Sequence, residues 1–134
     1  AEANVALNSA LSCLSPEQEQ QFQSLSQASV FGTARSAMGI WMTNALPIDE
    51  ANAGCFPTLS RINHACHANC LHAWDAGRSV KTVCAAAPIA EGEELTICYI
   101  PPAGSRTPER RARLREKFGF ECQCSLCELG DLFG

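Results

Sequence analysis

The sequence predicts an α+β fold, and three features of its layout carry that prediction. Helix-start signals and helical periodicity fill the first third, short β-patterned runs fill the middle, and the remainder joins a strong helix start to a tight group of cysteines. The divisions are read as 1–52 for a helical segment, 53–104 for a core of short strands, and 105–134 for a helix with a cysteine-bearing tail. A chain of 134 residues is one domain or part of one, and it can bury roughly two-thirds of its unfolded surface.

In the first segment, Leu14-Ser15-Pro16-Glu17-Gln18 is a helix start. Ser15 is placed to cap, Pro16 is pre-set for the first turn, and Gln18 can close a capping box. Phe22 and Leu25 then share a face. A second helix is predicted from about Thr33 to Asn44, where Met38, Trp41 and Ala45 recur at three- and four-residue spacing before Pro47 stops it. The Gln- and Ser-rich stretch from Gln18 to Ser29 also admits a reading as unstructured surface.

The middle changes character. Leu71-His72-Ala73-Trp74, a turn at Asp75-Ala76-Gly77-Arg78, and the run from Ser79 to Ala86 read as a β-hairpin. After Glu91-Gly92-Glu93-Glu94, alternation in Leu95-Thr96-Ile97-Cys98-Tyr99-Ile100 sends Leu95, Ile97 and Tyr99 to one face, and Pro101-Pro102 ends the strand. A last helix is predicted with Thr107 as cap and Pro108 at its first position. It runs through Arg110, Arg111, Arg113, Leu114, Arg115 and Lys117, which gives it a basic exposed face; such a face is commonly only solvated.

Composition narrows the function classes. No apolar run approaches the roughly 18 residues of a membrane helix, and the start Ala1-Glu2-Ala3-Asn4 has no signal-peptide core, so a soluble intracellular protein, nuclear or cytoplasmic, is expected. The absent initiator methionine points to a piece of a longer chain. A net charge of -4 disfavours a dedicated nucleic-acid binder and favours a basic partner such as a lysine-rich protein.

Nine cysteines in a chain with no secretory signal suggest metal rather than disulfides. Cys122, Cys124 and Cys127 can wrap one tetrahedral zinc from a single loop. The fourth corner is open to Cys66, Cys70, His67 or His64, any of which would clamp the tail to the central segment. The other scattered cysteines read as small buried hydrophobes.

Three ordered motifs now add up to a resemblance. Asn63-His64-Ala65-Cys66-x-x-Asn69, then Gly92-Glu93-Glu94-Leu95-Thr96-Ile97-Cys98-Tyr99, then Phe118-Gly119-Phe120-Glu121-Cys122-x-Cys124-x-x-Cys127 resemble the C-terminal half of SET domains with a post-SET zinc cluster. The fungal and SET-and-MYND-like members are similar even in Thr43-Asn44-Ala45-Leu46 and in Gly54 to His64, and the likeness runs from about residue 43 to 129.

The resemblance implies an SET-like β-clip of short strands, with a helical insertion before it and a zinc-binding tail after it. It implies an S-adenosylmethionine-dependent protein lysine N-methyltransferase, with a lysine-bearing protein, histone or non-histone, as substrate. Asn63 and His64 would meet the cofactor, Phe120 would pack on its adenine, and Phe118 would border the lysine channel. Tyr99 would be the catalytic tyrosine, standing where methyl group and lysine meet and touching the cofactor. Cys66 would be the fourth zinc ligand beside Cys122, Cys124 and Cys127.

Some positions depart from the family pattern. Ala65 stands where serine is usual, Ala68 where proline is usual, and Phe118 where tyrosine is common, which leaves the degree of methylation open. No Gly-x-Gly or Arg-Gly-Leu strand is present, since Gly32, Gly39 and Gly54 are isolated. Residues 1 to 45 resemble the insertion that follows those strands, so the chain is expected to start within a domain. Two function classes follow: a methyltransferase whose remaining strands come from elsewhere, or a non-catalytic, zinc-stabilised interaction module.

Overall fold

A computed structural model describes residues 1–100 and 105–133. The chain separates into two units, Ala1–Arg61 and Ile62–Gly134.

The first unit is mainly helical: α1 Glu2–Ser12, α2 Pro16–Gln23, a 3-10 turn Ser29–Phe31, α3 Ala37–Asn44, a small ladder of β1 Leu46–Pro47 with β2 Ala53–Gly54, and a 3-10 turn Leu59–Arg61. Helix α1 has no counterpart among the sequence expectations. The predicted capping box of α2 is present, with Ser15 Oγ accepting from the Gln18 amide at 3.2 Å and Gln18 Oε1 accepting from the Ser15 amide at 2.9 Å. Phe22 and Leu25 do share a buried face and pack on Ile40 of α3.

Helix α3 begins at Ala37, not near Thr33, because the Gln27 side chain claims the preceding loop. Its Nε2 donates to the carbonyls of Gly32 and Ala34, and its Oε1 accepts from the Ser36 amide. Those backbone groups are then unavailable for a helical turn, and Ser36 Oγ caps the shortened helix through the Gly39 amide. The same Gln27 side chain lies against Gly39, where a Cβ would come within 2.4 Å of Oε1; only glycine leaves room. Asn44, the last residue of α3, is buried and donates to the carbonyls of Ser26 and Ile40.

The second unit carries β3 Asn63–His64, β4 Cys70–Asp75, β5 Val80–Ala85, β6 Thr96–Ile97, α4 Thr107–Phe118 and α5 Ser125–Leu132. Strands β4 and β5 form the predicted hairpin, in register from Cys70↔Ala85 to Asp75↔Val80. Its turn is closed by Asp75 Oδ1, which accepts from the Arg78 amide at 3.0 Å. Strands β3 and β6 run parallel, with Asn63 opposite Thr96 and His64 opposite Ile97.

The strand predicted over Leu95–Ile100 shrinks to two residues, and its expected face is corrected at one position. Ile97 is buried and Tyr99 half-buried, but Leu95 is 46% exposed. Among the described residues no strand pairs with Leu95. The Asn69 side chain stands in for one, with Oδ1 accepting from the Thr96 amide at 2.9 Å and Nδ2 donating to the Glu94 carbonyl at 2.8 Å. Pro101-Pro102, expected to end the strand, lies outside the described residues.

Helix α4 starts one residue early. Thr107 is its first residue, and Arg106 takes the cap position, its amide donating to Glu109 Oε2 at 3.2 Å. The expected exposed basic face is present in Arg113, Arg115 and Lys117, and it is corrected at Arg110 and at the half-buried Arg111. Arg110 is buried, while Arg111 and Arg115 are engaged by Asp131 and Glu121. The core beneath α4 is Ile100, Leu114, Cys66, Cys122 and Cys127, with Leu114 fully buried.

Candidate metal centre and adjoining aromatic site

Gly119 ends α4 in the left-handed region at φ 76°, and its amide donates back to the carbonyls of Arg115 and Leu114. This turn reverses the chain between Phe118 and Phe120, so both rings lie against Tyr99. The Tyr99 ring is 5.0 Å from Phe118 and 6.5 Å, edge-on, from Phe120, centroid to centroid. His64 completes the group at 5.2 Å from Tyr99 and 6.0 Å from Phe120. Four side chains separated by up to 56 positions in sequence thereby form one half-buried aromatic face.

Hydrogen bonds fix that face from below. The Tyr99 amide donates to His64 Nδ1 at 3.0 Å, and the Tyr99 hydroxyl donates to the Ile62 carbonyl at 2.5 Å. Since Nδ1 accepts, the proton of the neutral ring sits on Nε2, which points at Cys66 Sγ 3.3 Å away. Burial, with the Arg110 charge nearby, lowers the His64 pKa to about 4, in keeping with a neutral ring. Burial, followed by the Glu94 carboxylate, raises that of Tyr99, so its phenol keeps its proton.

Asn63 is the exposed member of this group. It lies on β3 beside His64, and its Nδ2 donates to Glu94 Oε1 at 2.7 Å.

Below the aromatic face, Cys66, Cys122, Cys124 and Cys127 bring all four sulfurs within 4.8 Å of one another. Of the four candidates for the open corner, Cys66 alone joins this cluster. Cys66 Sγ is 3.9 Å from Cys122 Sγ and 3.6 Å from Cys127 Sγ. Sulfurs at the corners of a zinc tetrahedron with ordinary zinc–sulfur bonds are about 3.8 Å apart. The donor set therefore fits such an ion, and the four form a cluster capable of coordinating a metal.

Cys127 lies in the first turn of α5, a helix the sequence reading took for loop, with Cys124 at its N-cap. Burial drives Cys66 upward and pushes Cys122 to about 11. Burial opposes ionisation of Cys124 as well, but donors from the Cys127 and Cys66 backbone and from the Cys122 and Cys127 thiols bring it down to about 6.

The remaining cysteines are mixed. Cys70 is buried as expected and Cys55 and Cys98 are half-buried, whereas Cys13 and Cys84 are exposed, contrary to expectation. Cys13 stands at the end of α1 and Cys84 on β5 of a two-stranded sheet. The residue that sequence reasoning missed is Arg110, counted there as part of a solvated face. Its Nη2 donates to Cys127 Sγ at 3.6 Å and to Thr107 Oγ1 at 3.0 Å.

A parallel strand pair carrying an Asn-His step, a tyrosine just after its partner strand, and a three-cysteine tail closing on Cys66 define a SET-type architecture. The SET domain family matches residues 5–100, and this chain belongs to it. The chain is 38% identical to histone-lysine N-methyltransferase set5 of Schizosaccharomyces pombe, over 92% of its own length and 38% of the relative's. It is 32% identical to mouse histone-lysine N-methyltransferase Smyd1, over 88% of this chain and 26% of the relative. With human histone-lysine N-methyltransferase SMYD3 the identity is 36%, over 63% of this chain and 19% of the relative. The chain thus spans well under half the length of these relatives. Among the described residues no helix is long and apolar enough to cross a membrane.

Proposed function

We propose that this chain supplies the C-terminal half of the active site of an S-adenosylmethionine-dependent protein lysine N-methyltransferase. The observation that carries the reading is the placement of Tyr99, ringed by Phe118, Phe120 and His64 and tied through His64 to the four-cysteine cluster. Zinc is the metal that the four thiols suit, and Cys66, Cys122, Cys124 and Cys127 would hold it. Asn63, His64, Tyr99 and Phe120 would contact the cofactor, and Phe118 would border the lysine. A half-exposed ring beside the polar edge of β3 suits a ligand with one flat and one zwitterionic end.

When bound, S-adenosylmethionine supplies a methyl group on a positively charged sulfur. The chain's own residues would position the lysine nitrogen in line with that methyl and exclude water. Lysine, with an unperturbed pKa of about 10.4, must be neutral to react, and an aromatic channel favours the neutral amine. Tyr99 suits orientation rather than proton abstraction. Its raised pKa keeps the phenol protonated, and that proton is given to Ile62, which leaves the oxygen lone pairs free to accept from the substrate.

The substrate would be a lysine-bearing protein, histone or otherwise, in nucleus or cytoplasm. A second reading, a zinc-stabilised module without catalysis, is favoured by the exposed apolar side chains of the hairpin, Leu71 at 66% among them. Calorimetry of the zinc-loaded chain with S-adenosylmethionine separates the two. Saturable binding that Asn63→Ala abolishes supports the enzyme, and the absence of binding by the unaltered chain supports the module.

A further inference from the structure

Arg110 is an anomaly in α4. It is only 6% exposed, in a helix whose other arginines reach solvent or surface carboxylates. Among the described residues no carboxylate pairs with it; the arginine–carboxylate pairs of this helix belong to Arg106, Arg111 and Arg115. A buried guanidinium without an opposite charge is strongly disfavoured. The nearest sources of negative charge are sulfurs.

Its contacts aim it at them. Nη2 donates to Cys127 Sγ at 3.6 Å, an ordinary length for a bond to sulfur, and shares Thr107 Oγ1 at 3.0 Å. Nη1 donates to the Ser105 carbonyl at 2.5 Å, while the buried Nε has no hydrogen-bond partner among the described residues. Thr107 holds the guanidinium in turn, because its Oγ1 lies where a Cβ on Gly130 of α5 would have to sit, 2.0 Å away. The start of α4 and the end of α5 thus meet at Thr107 and Gly130, with no space for a side chain at Gly130.

A divalent ion bound by four thiolates carries about two net negative charges. We propose that Arg110 is the built-in counter-ion of this metal centre, a positioning residue that offsets its charge and holds Cys127 in place. The proposal rests on the metal reading of the four cysteines. It predicts that metal retention depends on the positive charge at this position more than on its shape. The N–H···S bond should also lower the energy of the sulfur lone pair.

The test uses the whole chain, loaded with zinc for affinity and with cobalt(II) for spectroscopy. Chelator competition should show zinc bound about 10–100-fold more weakly in Arg110→Met, the usual cost of losing a partner of a metal ligand. Arg110→Lys should stay within about threefold, and Arg113→Met, at an exposed position of the same helix, should match the unaltered chain. In the cobalt form, the sulfur-to-metal charge-transfer band should move to longer wavelength in Arg110→Met, which has neither the charge nor the N–H donor. Unchanged zinc affinity and an unmoved band in Arg110→Met would overturn the proposal. Should that variant not fold, Arg110→Lys decides alone: zinc affinity within about threefold supports the counter-ion, and a larger loss overturns it. An unaltered chain that takes up neither ion sinks the metal reading itself, a separate result.

Discussion

The amide of Tyr99 and Nδ1 of His64 are 3.0 Å apart, and through this bond the aromatic face is joined to the cysteine cluster. His64 serves two elements at once, since its other nitrogen faces Cys66 Sγ. His64→Phe preserves a flat ring but removes both bonds. Metal affinity, measured by chelator competition, should fall about 10–100-fold, as for other residues that orient a metal ligand. Affinity equal to that of the unaltered chain would make the contact with Cys66 incidental.

Asn69 tests how β6 is held without a full sheet. Its amide side chain bonds the Thr96 amide, the Glu94 carbonyl and the Glu93 carboxylate. Asn69→Ala should lower stability by about 2–3 kcal/mol, at roughly 1 kcal/mol per lost bond. Urea denaturation reads this directly, and a change below about 0.5 kcal/mol would show that water replaces the side chain at no cost.

Removing the metal should act locally. Metal binding by a tail with few apolar contacts is coupled to its folding. With a chelator, or in Cys122→Ser, amide exchange over 120–133 should speed up well before that of the β4–β5 hairpin, which has its own ladder. Equal acceleration in both segments, followed by mass spectrometry or NMR, would show that the cluster governs the whole unit.

The hairpin also carries a titrating pair. Lys81 Nζ lies 3.0 Å from His72 Nδ1, a bond that needs a neutral imidazole. Burial, then the Lys81 charge, lowers the His72 pKa. Protons therefore bind the unfolded chain more tightly than the folded one. The stabilisation is complete above the unfolded value of about 6.5 and is lost as pH falls from there through the lower folded value. An NMR titration of the His72 ring should give a midpoint below 6.5, and Lys81→Met should move it upward. A midpoint at or above 6.5 would contradict the sign.

Much of this protein was legible in its residues because the signals are local. Ser15 and Gln18 close a capping box on their own, and the Asp75–Arg78 turn fixes the hairpin register around it. The thiol spacing Cys122-x-Cys124-x-x-Cys127 announces a cluster able to hold a metal, and the Asn63-His64 and Tyr99 motifs resemble those of the family the chain belongs to. What stayed hidden depends on contacts between distant segments. Gln27 claims the Ser36 amide before α3 from nine residues away, and Asn69 holds the Thr96 amide from twenty-seven away. Arg110 reads as one more cation on a basic helix until α5 closes over it. Backbone caps and turns are decided by a few neighbouring residues. Burial of a charge, or the arrival of Cys66 beside the three tail cysteines, is decided only when remote parts of the chain exclude water together.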